Sequence, residues 1–211
     1  GGWSYLYFAL PYVEQSAIGE DYKAIQSVYH VENPSAGVDV PKLPLTHCPS
    51  FPMRNIKTPH ATGVGLHNAS VYVAVQGARS IVGCPVATLP YTIVRCPIGA
   101  PDDCWAGGHA NTGIMDGGSN TTFADIRDGS SNTLLIGEQS WDCGVIGWVP
   151  WTRGNSDGVG GTYSAKNVYW PINFAKYQLV TGGVALFNDL SFGSSHPGGC
   201  LFAIGDGSVR F

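Results

Sequence analysis

The chain has 211 residues, 44% of them hydrophobic, only 12% charged, and a formal net charge of −4 at pH 7. That is enough apolar material to fill one domain's core and too much for a disordered segment. A negative balance without any Lys/Arg run excludes the basic patch that nucleic acid requires, and no apolar run of about 18 residues marks a membrane span.

Gly1 to Gln15 is apolar and aromatic. Leu6, Leu10 and Val13 recur at helical spacing, and Pro11 kinks or interrupts the run. Glu20 to Val31 predicts a short helix with Tyr22, Ile25 and Val28 or Tyr29 on one face, closed by Asn33-Pro34-Ser35-Ala36-Gly37. Pro41 to Pro52 carries four prolines and the stretch Thr46-His47-Cys48-Pro49-Ser50. His47 and Cys48 are neighbours, and neighbours on a strand face opposite ways, so they do not chelate one ion together. His30, His60, His67 and His109 sit in loop-like contexts without ligand spacing and read as surface or structural.

Ala69 to Gly77 alternates and is β-branched, which predicts a strand. Residues 78–108 turn irregular and rich in Pro, Gly and Cys, as a variable loop region does. Asn111-Thr112-Gly113-Ile114-Met115 follows. Asp128-Gly129-Ser130-Ser131-Asn132 predicts a turn, and Thr133 to Ile136 a buried strand that ends at Gly137-Glu138. Residues 141–170 hold four of the six tryptophans and a Gly/Asn/Asp loop. Indoles stack on sugars, so a glycan-binding face stands beside the plainer reading of core and interface packing.

The chain end is a turn, a strand, a tight turn and a second strand. His196-Pro197-Gly198-Gly199 cannot continue a helix. Leu201 to Ile204 is a short apolar strand, and Asp206-Gly207 is a hairpin signal with φ > 0 expected at Gly207. Alternation then places Val209 and Phe211 on the core face and Arg210 toward solvent.

Six cysteines stand at 48, 84, 96, 104, 143 and 200, with no C-x-x-C pair. An even count in a loop-rich chain predicts three disulfides in an oxidising compartment, with buried free thiols as the alternative. Six cysteines allow about fifteen connectivities. Cys96 and Cys104 enclose a short Pro/Gly/Asp loop and form the expected local pair, with Cys48, Cys84, Cys143 and Cys200 making the others. Asn68 and Asn120 head N-x-[ST] acceptor patterns. Asp116, Asp125 and Asp128 lie close among Gly, Ser and Asn, a candidate calcium loop that fits no EF-hand. No other cofactor is expected. Nucleophile, P-loop and zinc-protease signatures are absent. Ser195, His196 and Asp206 do not make a triad, because adjacent residues do not normally supply nucleophile and base. The chain is not expected to be an enzyme.

His196 and Asp206-Gly207 form an H-x9-DG pattern. With Gly2-Trp3-Ser4, Leu10-Pro11-Tyr12-Val13-Glu14-Gln15, Cys48-Pro49-Ser50, Asn111-Thr112-Gly113-Ile114-Met115 and Asp128-Gly129-Ser130-Ser131-Asn132 through Gly137-Glu138, it resembles the DUF1559 family, the prepilin-type proteins with a C-terminal H-x9-DG domain that abound in Planctomycetes. The resemblance implies an α+β, pilin-like domain spanning 1–211, an antiparallel sheet packed on a helix. The N-terminal half of that helix, with its cleavage site and membrane-spanning stretch, is missing from this chain, truncated, cleaved or lost. It further implies a structural subunit of a pilus, pseudopilus or surface assembly, located outside the cytoplasm. Such a subunit self-associates, binds no nucleic acid, and meets the membrane only through the missing helix. An exported glycan- or ligand-binding module is the alternative. His196, Asp206, Gly207, Asp128, Gly129, Asn132, Gly137 and Glu138 are then structural motif residues, with His196 bracing the final hairpin.

Overall fold

The computed structural model describes residues 2–23, 43–51, 70–78, 91–92, 109–110, 112–115, 120–139, 151–155, 162–174 and 187–211. In chain order the elements are β1 (Gly2–Trp3), α1 (Tyr5–Ala9), α2 (Ser16–Lys23), β2 (Tyr72–Ala78), β3 (Tyr91–Thr92), β4 (His109–Ala110), β5 (Leu134–Glu138), β6 (Arg153–Asn155), β7 (Ala165–Val168), β8 (Phe202–Ile204) and β9 (Val209–Arg210). The fold is α+β.

The aromatic start splits into two short helical pieces at the proline. Ser4 caps α1, its hydroxyl accepting from the Tyr7 N–H, and Leu10–Val13 continues as a 3-10 turn with proline in its first positions. Proline lacks an N–H, so a helix start is where it fits. Leu6 and Leu10 turn inward and pack with Leu43 and Trp151, while Trp3 and Tyr7 flank them. β1 pairs antiparallel with β6, and the Ser4 N–H donates to the Thr152 carbonyl at 2.9 Å. Trp151 is only 1% exposed. It is a core residue and cannot offer its indole to a sugar, which corrects that part of the glycan-face expectation. Trp141 and Trp148 lie outside the described residues. Trp170 stacks on Phe174, ring centroids 5.2 Å apart.

Among the described residues the main sheet has five strands in the order β7-β2-β5-β8-β9. β2 pairs antiparallel with β5, β5 with β8 and β8 with β9. β7 lies parallel to β2, so the sheet is antiparallel across four strands and mixed at one margin. Parallel neighbours need a long crossover, and the whole chain between β2 and β7 supplies it. The core on one face gathers Val73, Val75, Phe192 and Cys200, with Leu134, Val168 and Phe202 against it. β2 is buried on both faces, and its Gln76 meets a polar layer. Gln76 Nε2 donates to Thr162 Oγ1 at 3.2 Å, and that hydroxyl donates to Asn188 Oδ1 at 3.0 Å. Lys166 Nζ donates to the Thr162 carbonyl at 2.6 Å, and Asn167 Nδ2 to Asp189 Oδ1 at 2.7 Å. Buried polar groups survive in a core only when so paired.

The final hairpin forms, and Gly207 has φ +83°. Its outer strand departs from the sequence expectation. Val209 and Phe211 are 64% and 68% exposed, not on a core face. β9 is an edge strand of two residues, and alternation buries a face only where a second layer covers it. The Phe211 ring instead folds toward Gly199, 3.2 Å from where a Cβ there would sit. It also meets the His196 ring edge-on at 6.5 Å between centroids.

Gly137 is required by packing rather than by φ. A Cβ there would lie 2.5 Å from ring carbons of both Phe192 and Phe202. Gly137→Ala should therefore cost about 1–3 kcal/mol, the range for overpacked cores. Equilibrium denaturant unfolding checks this; an unchanged midpoint would contradict the packing.

Candidate functional site

Three chain segments that are remote in sequence converge at one end of β5. The first is the loop after the 3-10 turn Pro44–Thr46. The Val71 N–H donates to the Thr46 carbonyl at 2.9 Å, which lays this loop against the start of β2, and the Phe51 N–H closes a turn onto the Cys48 carbonyl at 3.0 Å. Cys48 thereby packs against Val71, Phe51 and Tyr72.

The second segment is β5 itself. Its last residue, Glu138, sits opposite Tyr72 in the ladder and is 0% exposed. The Leu201 N–H donates to Glu138 Oε2 at 2.7 Å, and the Gly193 N–H donates to the Glu138 carbonyl at 2.8 Å. The third segment is the loop that carries His196. Ser194 braces it, its hydroxyl donating to the Gly199 carbonyl at 2.6 Å while accepting the His196 N–H at 3.0 Å. Asn173 Oδ1 accepts the Ser194 N–H at 3.0 Å and pins the loop from outside.

At the meeting point His196 Nε2 lies 3.3 Å from Cys48 Sγ and 3.4 Å from Glu138 Oε1. All three donor atoms fall within 4.8 Å of one another. The contact to Glu138 is electrostatic: Oε1 is buried and receives no hydrogen bond. Thiol and carboxylate face the same imidazole nitrogen. A Cys-His nucleophile pair oriented by a carboxylate needs the two partners on opposite ring nitrogens, so the arrangement is not that of a catalytic triad. Sulfur, nitrogen and oxygen gathered around one point are instead a metal-type donor set. Among the described residues it is the group that brings three such side chains together.

Burial and these neighbours act on the groups nearby. Burial first, then Cys48 and Glu138, pushes the Tyr72 phenol up to about 12. Burial, then Glu138, pushes the Cys200 thiol up to about 12. Cys200 is thus a protonated, unreactive thiol at neutral pH. Cys48 and Cys200 are both free and buried, which corrects the expectation of three disulfides. The Cys48 sulfur is engaged by His196, and Cys200 is packed among Val73, Val75 and Phe192. Cys84, Cys96, Cys104 and Cys143 lie outside the described residues, and with them the expected Cys96–Cys104 pair.

The remaining motif residues build turns. Asp206 Oδ1 accepts from the Ser208 N–H at 2.9 Å and from its hydroxyl at 2.6 Å. These bonds, the hydroxyl's first, hold its carboxyl below the usual range. Gly129 has φ +83°, Asn132 Nδ2 donates to the Asp128 carbonyl at 2.9 Å, and the Asn132 N–H donates to the Gly129 carbonyl at 3.0 Å. The two Asp-Gly turns abut: the Gly205 N–H donates to the Thr133 carbonyl at 2.8 Å. Asp125 spends Oδ2 on the Thr122 N–H and hydroxyl at 2.8 and 2.7 Å, a cap of its own 3-10 turn. Asp116 lies outside the described residues, as does Asn68; Asn120 is exposed.

The motifs therefore meet in space as well as in order, and the family model described as "Protein of unknown function (DUF1559)" matches residues 1–211, the whole chain. The chain belongs to the DUF1559 family. Neither a curated protein nor a solved structure matches it. Within this DUF1559 chain, Cys48, Glu138 and His196 come from three of the segments that carry the family pattern. The sequence singles out each of them, Cys48 as a disulfide partner and Glu138 and His196 as structural motif residues at a strand end and beside the final hairpin. The signal it lacked was their convergence, since Cys48 and His196 are 148 residues apart.

The thiol and phenol shifts fix a pH dependence. The folded chain keeps the Cys200 proton to about 12, against an ordinary 9.0, whereas the unfolded chain loses it near that ordinary value. Stability from this group is full below pH 9.0 and is lost as pH rises toward about 12. Cys200→Ala should remove the part of the alkaline decline that begins near pH 9.0, leaving the later part due to the Tyr5 and Tyr72 phenols, which burial also pushes up. Unfolding free energies measured across that range check it; an identical slope in both proteins would contradict the assignment.

Proposed function

We propose that this protein is a structural subunit of a pilus-like or other surface assembly, built on a pilin-like domain and working outside the cytoplasm. The observation that carries the reading is the edge of the main sheet at β9, which no strand among the described residues covers. β9 has a neighbour on one side in the order of strands, and its Val209 and the adjoining Phe211 stand open to solvent. Edge strands that must stay monomeric are blunted by charge or proline; here Arg210 is the one charge between two exposed apolar side chains. Phe8 on α1 and Tyr12 just after it are also exposed. In a pilin-like subunit this N-terminal segment continues the helix around which neighbours pack. The resemblance of its H-x9-DG and Asp128-Gly129 motifs to those of prepilin-type proteins supports the same role.

The role is architectural and not catalytic. The titratable cluster shares one imidazole nitrogen, a geometry that suits holding segments together better than moving a proton.

The test compares the protein as its cell makes it with a Val209→Glu/Phe211→Glu double variant, by light scattering and electron microscopy. Ordered assemblies should form from the parent chain and be lost from the variant, with at most a small drop in melting temperature, since Val209 is exposed and Phe211 gives up only its contacts with His196 and Gly199. A parent chain that stays monomeric at every concentration, or a variant that assembles equally well, would refute the edge as the contact.

A further inference from the structure

We propose that Cys48, Glu138 and His196 form a zinc site that ties the first cysteine loop, the end of β5 and the final hairpin loop together.

The geometry is the first argument. Zinc bond lengths of about 2.3 Å to sulfur and about 2.0–2.1 Å to nitrogen or oxygen, at tetrahedral angles, put S and N about 3.5 Å apart and N and O about 3.4 Å apart. The side chains stand at 3.3 Å for Cys48 Sγ to His196 Nε2 and 3.4 Å for His196 Nε2 to Glu138 Oε1. Two edges of such a tetrahedral face thus already have the bonded length, and the third, Cys48 Sγ to the Glu138 carboxylate, lies within 4.8 Å, which side-chain rotation on metal binding closes.

The second argument is a chemical shortage. An imidazole nitrogen has one in-plane position, for either a proton or a lone pair. It cannot satisfy a thiol and a carboxylate at once. If Nε2 accepts from Cys48, the lone pairs of Nε2 and Glu138 Oε1 face each other. If it donates to Glu138 Oε1, Cys48 keeps only its hydrogen bond with the Tyr72 phenol; if it donates to Cys48, Oε1 goes without. Glu138 Oε1 is buried with no hydrogen bond, on a side chain that is fully buried. Such an atom is costly unless a cation compensates it. A metal ion at the centre uses all three lone pairs and removes the conflict.

The third argument is preorganisation. Glu138 Oε2 is fixed by the Leu201 N–H, which turns Oε1 toward the cluster. His196 is held by its own backbone bond to Ser194. Outer hydrogen bonds that aim ligands in this way are what metal sites need. One soft sulfur with one imidazole and one carboxylate favours zinc; calcium and magnesium take oxygen ligands. The His196 side chain is 26% exposed, so the fourth corner opens toward solvent and takes a water.

The experiment strips the reduced protein with a chelator and titrates it with zinc against a colorimetric competitor. It then repeats the titration with cobalt(II), whose thiolate charge-transfer band reports sulfur coordination. One ion should bind per chain, and the cobalt band should appear. Cys48→Ser should abolish the band, and Cys200→Ser should keep it. Glu138→Gln retains an oxygen to accept from the Leu201 N–H, so the fold has its acceptor while the anionic ligand is gone. That variant should weaken zinc by more than the roughly 10–100-fold that loss of an outer-shell partner costs. His196→Gln should do the same. The proposal is overturned by a wild-type chain that gives no cobalt–thiolate band, a reading that needs no variant. It is equally overturned by Glu138→Gln and His196→Gln binding zinc as tightly as the parent, or by native protein in which Cys48 is locked in a disulfide.

Discussion

A buried carboxylate at the end of β5 is the constraint around which the described parts of this molecule are arranged. Glu138 is fully buried, and an isolated buried carboxylate is far too costly to keep. Every neighbouring element answers to it. Leu201, just ahead of β8, enters through its N–H at one oxygen. The loop after Phe192 enters through the Gly193 N–H at the main-chain carbonyl. β2 stands opposite in the ladder through Tyr72, and His196 faces the second oxygen. The same charge helps keep Tyr72 and Cys200 protonated. The residue before it has no side chain because Phe192 and Phe202 close over that position, and so the aromatic core and the polar junction lie side by side on one strand end.

Around this junction the molecule divides its labour. One face of the sheet is held by ordinary apolar packing on Val73, Val75 and Phe192. β2 is also flanked by an amide and hydroxyl layer through Gln76, Thr162 and Asn188. A smaller core on Trp151, Leu6, Leu10 and Leu43 fixes the N-terminal helical pieces. Polar layers of this kind carry little net stability when satisfied, and a high cost when broken. They specify the register of β2 against β7 rather than add to the core. The sheet then ends abruptly at β9, where no such layer covers the apolar side chains among the described residues.

Much of the local structure was legible because it rests on local rules. The Asp128-Gly129 and Asp206-Gly207 turns follow from glycine at positive φ. The strand read at Ala69 to Gly77 forms as Tyr72–Ala78, and the one read at Thr133 to Ile136 as Leu134–Glu138. What failed rests on what lies across space. Alternation at Val209 and Phe211 cannot tell a covered edge from a bare one. The pairing of Gly2–Trp3 with Arg153–Asn155 and the parallel placement of Ala165–Val168 leave no mark on periodicity. The site was hidden for the same reason. Its ligands have no spacing to recognise, and an even number of cysteines pointed to disulfides, whereas Cys48 and Cys200 are held by a histidine and by aliphatic packing.

If Glu138 is the junction, its replacement and that of His196 cannot act independently. A double-mutant cycle measures this directly, with Glu138→Gln, His196→Ala and the pair compared by equilibrium unfolding. The account predicts a coupling energy of about 0.5–3 kcal/mol, the range for residues in one network. Two effects that simply add, within about 0.3–0.5 kcal/mol, would show that the hairpin loop and the end of β5 are held separately and would contradict the account.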